Sequence, residues 1–169
     1  MATRLMTLAA AFLAVTLGSA ALGQSALGQS GNIDFGGLRA DPKLPVEVTA
    51  DSFAIDQASH SATFTGAVRV AQGDMVLTAG EVKIEYATDG KSIKQLIASG
   101  GVVLKAGADA AQAQTATYVI DAAEITLTGD VLLTQGSAAI SGQTLIVNLT
   151  DGTGRIEGRV TTTFLPGGN

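Results

Sequence analysis

From Pro45 onward apolar and polar residues alternate with a period of two: Val46, Val48 and Ala50 alternate with Glu47 and Thr49, and Val82, Ile84 and Tyr86 with Lys83 and Glu85. The same alternation runs through Phe64-Gly66-Val68-Val70, Val102-Leu104, Ala116-Tyr118-Ile120, Ile125-Leu127, Val131-Leu133, Leu145-Val147-Leu149 and Val160-Thr162-Phe164. Successive side chains of a strand point to opposite faces, so the pattern predicts strands with one face buried and one wet. No stretch of this region repeats its apolar positions with helical spacing. Residues 107–116 are rich in alanine and have helical propensity, but their Gln and Thr alternation favours a strand.

A Gly-x-Val signature punctuates the strands at Gly66-Ala67-Val68, Gly100-Gly101-Val102, Gly129-Asp130-Val131 and Gly158-Arg159-Val160, with spacings of 34, 29 and 29 residues. Phe64–Tyr86 also lies on Leu127–Leu149 without a gap, a shift of 63 residues that matches Thr65-Gly66 with Thr128-Gly129 and Gln72-Gly73 with Gln135-Gly136. One unit is repeated, and stacked copies share a core that none could bury alone. The repeated glycine interrupts each strand where a bend or bulge is needed, letting one long strand pass from one sheet to another. Asp89-Gly90 and Asp151-Gly152 are expected to form tight primed turns between antiparallel strands. Gln72-Gly73-Asp74 and Gln135-Gly136-Ser137 are expected to be turns or bulges at equivalent places in two repeats.

Residues 1–23 read differently. Arg4 precedes an apolar run from Leu5 to Leu17, and small residues follow at Gly18-Ser19-Ala20-Ala21, as in a secretory signal peptide. The tandem Ala21–Ser25 and Ala26–Ser30 copies leave the cleavage point open between residues 20 and 30. The expected organisation is a leader over 1–23, a flexible lead over 24–43, a β domain over 44–165 and a tail over 166–169. The chain has no cysteine, so the exported domain is held by no disulfide and carries no lipid-modified N-terminal cysteine. Its 15 acidic and 10 basic residues give a net charge of −5, which becomes −6 once Arg4 leaves with the leader. That balance disfavours nucleic acid and anionic membrane faces as partners.

Catalytic chemistry fails on inventory. His60, the one histidine, lies in the polar Gln57-Ala-Ser-His60-Ser segment and reads as an exposed turn residue. Asp74, Glu81, Glu85, Asp121, Glu124 and Asp130 are spread singly over turns and outward strand positions, with no nucleophile and matching base. Gly100-Gly101 leads into a strand rather than a helix N-terminus, so it forms no phosphate cradle. No enzyme, cofactor or metal is expected.

The order and spacing of three marks carry a resemblance. They are Pro45-Val-Glu-Val-Thr-Ala-Asp51, then Ala62-Thr-Phe-Thr-Gly66-Ala-Val68-Arg-Val70-Ala-Gln-Gly73 with Leu77-Thr-Ala-Gly-Glu-Val82, then Leu127-Thr-Gly129-Asp-Val131-Leu-Leu-Thr-Gln-Gly136. Over roughly residues 44–165 the chain resembles the LptA/OstA-like family of lipopolysaccharide export proteins. The resemblance implies an all-β fold, an open-ended antiparallel OstA-like β-jelly roll of repeated strand units whose apolar interior shields acyl chains. It also implies a periplasmic, non-enzymatic carrier of lipopolysaccharide that bridges the inner and outer membranes. The implied partners are the lipid A acyl chains, an inner-membrane-anchored LptC-like protein, an outer-membrane LptD-like translocon and further copies of the chain joined head to tail.

The inward apolar positions are the candidate acyl contacts: Val48, Phe53, Ile55, Phe64, Val68, Leu77, Val82, Ile84, Val102, Leu104, Tyr118, Ile120, Leu127, Val131, Ile140, Leu145 and Val147. A Phe64→Asp or Leu127→Asp variant is expected to fold and lose lipid. Lys83, Lys91, Lys94 and Lys105 are too scattered to hold a phosphorylated headgroup, which is expected to stay in solvent. Val46–Ala50 and Val160–Phe164 are the expected edge strands for assembly. Two other readings remain: a structural or adhesive β-solenoid that carries no lipid, and a membrane-anchored component of the same export pathway with an uncleaved Leu5–Leu17 segment.

Overall fold

A computed structural model of the chain describes residues 33–34 and 44–164, and among these residues all regular structure is β. The expected leader over 1–23, the lead apart from Ile33–Asp34, and the tail over 166–169 lie outside the described residues. Among the described residues no helix is long and apolar enough to cross a membrane.

Thirteen strands follow one another: β1 (Ile33–Asp34), β2 (Glu47–Thr49), β3 (Ser52–Asp56), β4 (Ser61–Gln72), β5 (Met75–Tyr86), β6 (Ile93–Ser99) and β7 (Val102–Ala106). The second half holds β8 (Asp109–Ala113), β9 (Thr115–Val119), β10 (Glu124–Gln135), β11 (Ala138–Asn148), β12 (Thr153–Glu157) and β13 (Thr161–Phe164). Every pairing is antiparallel, and all the strands belong to one continuous sheet.

Bends divide this sheet into two layers. The first halves of β4 and β10 pair with β3 and β9, and their second halves with β2 and β8. The long strands β4, β5, β10 and β11 therefore run through both layers, while the short strands stay in one. One layer has the order β3-β4-β5-β6-β9-β10-β11-β12-β1, the other β2-β4-β5-β7-β8-β10-β11-β13. The layers face each other across a single apolar core of Val, Leu, Ile and Ala side chains. This is the antiparallel β-jelly roll that the resemblance implies, built from the strands that the alternation predicts.

The bends fall on the Gly-x-Val signature. Register shifts interrupt β4 between Thr65 and Val68 and β10 between Thr128 and Val131. Gly129 has φ of 87° and the following Asp130 47°, so two successive residues are left-handed and the chain turns the corner within one bulge. Only glycine fits the first of these places, because a Cβ there would come within 2.9 Å of the Gln114 side chain. Gln114 clasps the corner from the facing strand junction. Its N–H donates to the carbonyls of Thr128 at 3.2 Å and Gly129 at 3.0 Å, and its amide donates to Asp130 Oδ2 at 2.8 Å.

Tight primed turns occur, but not at the Asp-Gly pairs. Gly73-Asp74, Gly107-Ala108 and Gly136-Ser137 are two-residue connections in which only the leading Gly is left-handed, the pattern of a type II′ hairpin. Asp89-Gly90 and Asp151-Gly152 sit in longer loops, and neither aspartate is left-handed. Their carboxylates instead organise the loops: Asp89 accepts the N–H groups of Lys91 and Ser92, and Asp151 accepts that of Thr153. The Ala-rich 107–116 segment forms β8 and the start of β9.

Candidate functional site

Three features could do chemistry or binding: the apolar interior between the layers, the two ends of the stack, and a cleft at the N-terminal end. The interior is built by register. In the second layer one inward row runs Val48, Val70, Leu77, Leu104, Ala111, Leu133 and Ile140, each opposite the next on the neighbouring strand. In the first layer the matching row runs Phe64, Val82, Ala98, Ala116, Leu127 and Leu145. Apolar surface is thus continuous from one end of the stack to the other.

A cavity of about 30 Å³ lies between the layers toward the N-terminal half. Its walls are Val46, Val70, Gln72, Met75, Leu77 and Leu104 from one side and Val82, Leu96, Ala98, Ala116, Tyr118 and Ile125 from the other. That space is small beside the volume of an acyl chain. The polar groups in this wall meet across it: the Tyr118 hydroxyl donates to Gln72 Oε1 at 3.3 Å, and Gln72 Nε2 donates to the Leu44 carbonyl at 3.1 Å. Burial pushes the Tyr118 hydroxyl above its ordinary value of 10.0.

The seventeen residues predicted to face inward divide into three groups. Val68, Val82, Ile84, Val102, Leu104, Tyr118, Leu127, Val131, Ile140, Leu145 and Val147 are buried. Val48, Phe64, Leu77 and Ile120 pack against them while keeping some exposure. Phe53 and Ile55 differ: they stand opposite Phe64 and Ala62 on the inward face of β3, yet are 53% and 66% exposed. Among the described residues the sheet ends at β3 and no second layer covers them, which is why an inward position there is also a wet one. Phe53 leans on Phe64 with ring centroids 4.7 Å apart. Alternation alone did not select Val46, Gln72, Leu96, Ala98 and Ala116 as cavity residues; their place follows from cross-strand register.

The ends carry unpaired strands. Among the described residues, β2 and β3 at the N-terminal end each pair with β4 alone, and β13 at the C-terminal end pairs with β11 alone. Phe164 of β13 is 70% exposed, and Val160 before it is exposed too. The outer edge of β12 is partly occupied, because Ile33 and Asp34 pair with Gly154 and Thr153. Both predicted edge segments are therefore edges, and each is rimmed by apolar side chains.

The cleft of about 460 Å³ beside β3 is lined by Ile55, Asp56, Gln57, His60, Ser61, Tyr86 and Gly90. His60 is exposed and left-handed at φ of 48°, and its carbonyl accepts the Tyr86 N–H at 3.0 Å. The carboxylates nearby are structural in their contacts. Asp56 is held below the ordinary 3.8 by hydrogen bonds from Ser59 and Ala58, and Asp89 likewise by Ser92 and Lys91. Glu85 is lowered by Lys83, 3.0 Å away, and by Gln95. Lys83 is thereby neutralised on the outward face. Among the described residues no group of three or more His, Asp or Glu could hold a metal ion.

Three comparisons bear on this arrangement. The model of the family described as LptA/(LptD N-terminal domain) LPS transport protein matches residues 47–153. The chain is 30% identical over 123 residues to an uncharacterized protein of Rhizobium meliloti (strain 1021), covering 73% of this chain and 54% of that protein. It thus spans about half the length of the curated relative it matches. The crystal structure of LptH, the LptA homologous periplasmic component of the conserved lipopolysaccharide transport device from Pseudomonas aeruginosa, superposes with a TM-score of 0.67 at 18% identity, covering 75% of this chain and 99% of LptH. At that identity the likeness is one of fold.

Proposed function

Because the chain belongs to the LptA/(LptD N-terminal domain) LPS transport protein family, we propose that it is a periplasmic carrier that shields the acyl chains of lipopolysaccharide between its two layers. Head-to-tail joining of copies then extends the groove from an inner-membrane-anchored LptC-like protein to an outer-membrane LptD-like translocon. The observation that carries the reading is the continuous inward apolar row that opens, at β3, onto the exposed Phe53 and Ile55. Each methylene left in water costs about 0.8 kcal/mol, so several acyl chains cross an aqueous space only inside such a lining. The unpaired β2 and β3 edges at one end and β13 at the other supply backbone groups that a like domain satisfies by strand addition. The acidic surface and the ion-paired Lys83 leave the phosphorylated headgroup outside, in solvent.

The test is a photo-crosslinking amino acid at Phe53, Phe64 or Leu77 in the exported chain, exposed to lipopolysaccharide labelled in its lipid A. Adducts at these inward positions and none at the outward Lys105 are expected. A folded protein with adducts at no inward position would sink the reading. One observation favours a second reading, a structural β-solenoid without cargo: the cavity between the layers is only about 30 Å³. That alternative wins if the interior never opens under conditions in which the chain still assembles.

A further inference from the structure

A cavity of about 30 Å³ admits no alkyl chain, so cargo enters only if the layers part. Ten of its twelve wall residues are aliphatic or Met side chains, and their contacts are non-directional. An acyl chain that slides between the layers replaces them with contacts of the same kind. The Tyr118 to Gln72 hydrogen bond is different, because an acyl chain offers neither donor nor acceptor. It exists in the closed arrangement and is broken in the open one.

Gln72 joins three parts of the molecule. It ends β4 in one layer, accepts from Tyr118 of β9 in the other, and donates to the carbonyl of Leu44, which lies just ahead of the edge strand β2. The bond to Leu44 also fixes the amide: a carbonyl can only accept, so Nε2 faces Leu44 and Oε1 is left for the tyrosine. Between Leu44 and β2 lies Val46, itself a wall of the cavity. Leu44 is held close on its other side as well, its Cδ1 being 3.0 Å from where a Cβ on Gly73 would stand.

We infer that Gln72 and Tyr118 form a latch on the groove, and that Leu44–Val46 is the strap by which a strand-adding partner at the β2 edge releases it. A strand that docks on β2 bears on the segment leading into it. Movement of that segment withdraws Val46 from the cavity and takes the Leu44 carbonyl from Gln72, one of the contacts that set its amide facing Tyr118. The latch holds the two layers together and couples their parting to the N-terminal edge. The inference rests on the proposed carriage of acyl chains.

Tyr118→Phe keeps the ring and removes the hydroxyl, and Gln72→Met removes the amide at similar size. Two readouts on the full chain are needed: amide hydrogen exchange of β4 and β9 without lipid, and the association rate of lipopolysaccharide carrying a fluorophore in its acyl region. Exchange through local opening is expected to rise about fivefold in each variant, the weight of one net hydrogen bond, and the association rate to rise in parallel. Leu149→Val, a core change outside the cavity wall, is expected to lower the melting temperature without raising the association rate. Unchanged exchange in both variants overturns the latch, whatever lipid does. Faster exchange with an unchanged association rate overturns its role in gating. An unaltered chain that takes up no labelled lipopolysaccharide sinks the cargo reading and the gating with it.

Discussion

Replacing Phe53 by aspartate separates contact with cargo from packing of the core. Phe53 is on the inward face but 53% exposed, so the folded protein uses only about half of its surface. Full burial of a phenylalanine contributes about 1.5–3 kcal/mol, so half amounts to about 1 kcal/mol. Loss of the ring contact with Phe64 adds about 0.5–1.5 kcal/mol. The sum, about 2 kcal/mol, leaves a domain of this size folded, with a melting temperature lower by roughly 8 °C. Leu127→Asp behaves otherwise. Leu127 is 0% exposed, and even truncation of such a leucine costs about 2–5 kcal/mol before an unpaired buried charge is counted. The expectation from alternation that Leu127→Asp folds and merely loses lipid therefore gives way: it should fail to fold, and Phe53→Asp is the informative variant. Acyl chains that cover the wet half of Phe53 contribute about 1 kcal/mol, and an aspartate adds a desolvation cost. Affinity for labelled lipopolysaccharide, followed by fluorescence beside a circular-dichroism melt, should fall at least about tenfold. A folded Phe53→Asp protein that binds with unaltered affinity would refute the open β3 face as part of the groove.

Gly129→Ala should destabilise by about 2–3 kcal/mol in urea unfolding, since φ of 87° and the Gln114 side chain both oppose a Cβ. Gly136→Ala, left-handed but with open space around it, should cost only about 1 kcal/mol; equal losses would show that the corner is not crowded. Proline at Thr162 and at Thr163 should act oppositely, because successive residues of an edge strand direct their N–H groups inward and outward. One variant should weaken the β11 pairing, while the other keeps its stability and loses self-association on size exclusion; identical behaviour of the two would argue against strand addition at β13. Asp56, Glu85 and Asp89 titrate in the folded state below their ordinary values of 3.8, 4.5 and 3.8. Their contribution is therefore complete above those values and is lost as pH falls through the lower folded ones. Asp89→Asn should flatten the decline in urea midpoint between about pH 5 and pH 2, and a decline as steep as before would remove Asp89 from its causes.

Much of the architecture was legible because the repeat is written in backbone chemistry. The match of Phe64–Tyr86 with Leu127–Leu149 reappears as the β4-β5 and β10-β11 hairpins, with bulges at Thr65/Val68 and Thr128/Val131. The Gly-x-Val glycines are the corners, since two successive left-handed residues exclude most other choices at the first place. Alternation, by contrast, tells which face a side chain is on and not whether another layer covers that face. Phe53 and Ile55 have the same signature as Phe64 and differ only in lying at the end of the sheet. The Asp-Gly pairs misled for a related reason: aspartate can build a turn through its side chain as well as through a left-handed backbone, and here it does the former. The cavity wall was hidden because Gln72 read as part of a turn and Ala116 only as one position of an alternating strand. Cross-strand register sets Ala98 beside Val82 and Ala116 beside Leu127, while Gln72 reaches the wall from the other layer through Tyr118.

The proposed carriage of acyl chains needs an interior that parts without breaking the fold. The bends supply one fixed side, because β4, β5, β10 and β11 pass through the corner as unbroken chain. Among the described residues no strand passes between the layers on the opposite side. There the layers meet through side chains such as Tyr118 and Gln72. Parting the layers exposes apolar surface at about 25 cal/mol per Å², which an inserted acyl chain covers again, so the net cost of loading reduces to the hydrogen bonds that break between the layers. Small side chains on the facing walls, Ala98, Ala116 and Ala111, limit how much surface each rung must uncover. Opening should thus be a hinge about the glycine row. Spin labels at the exposed Asp74 and Asp121 should move apart when lipopolysaccharide is added, while labels at Gln114 and Asp130, across the clasped corner, keep their separation. Labels that spread equally at both places would mean that the layers separate as a whole, and the hinge would be wrong.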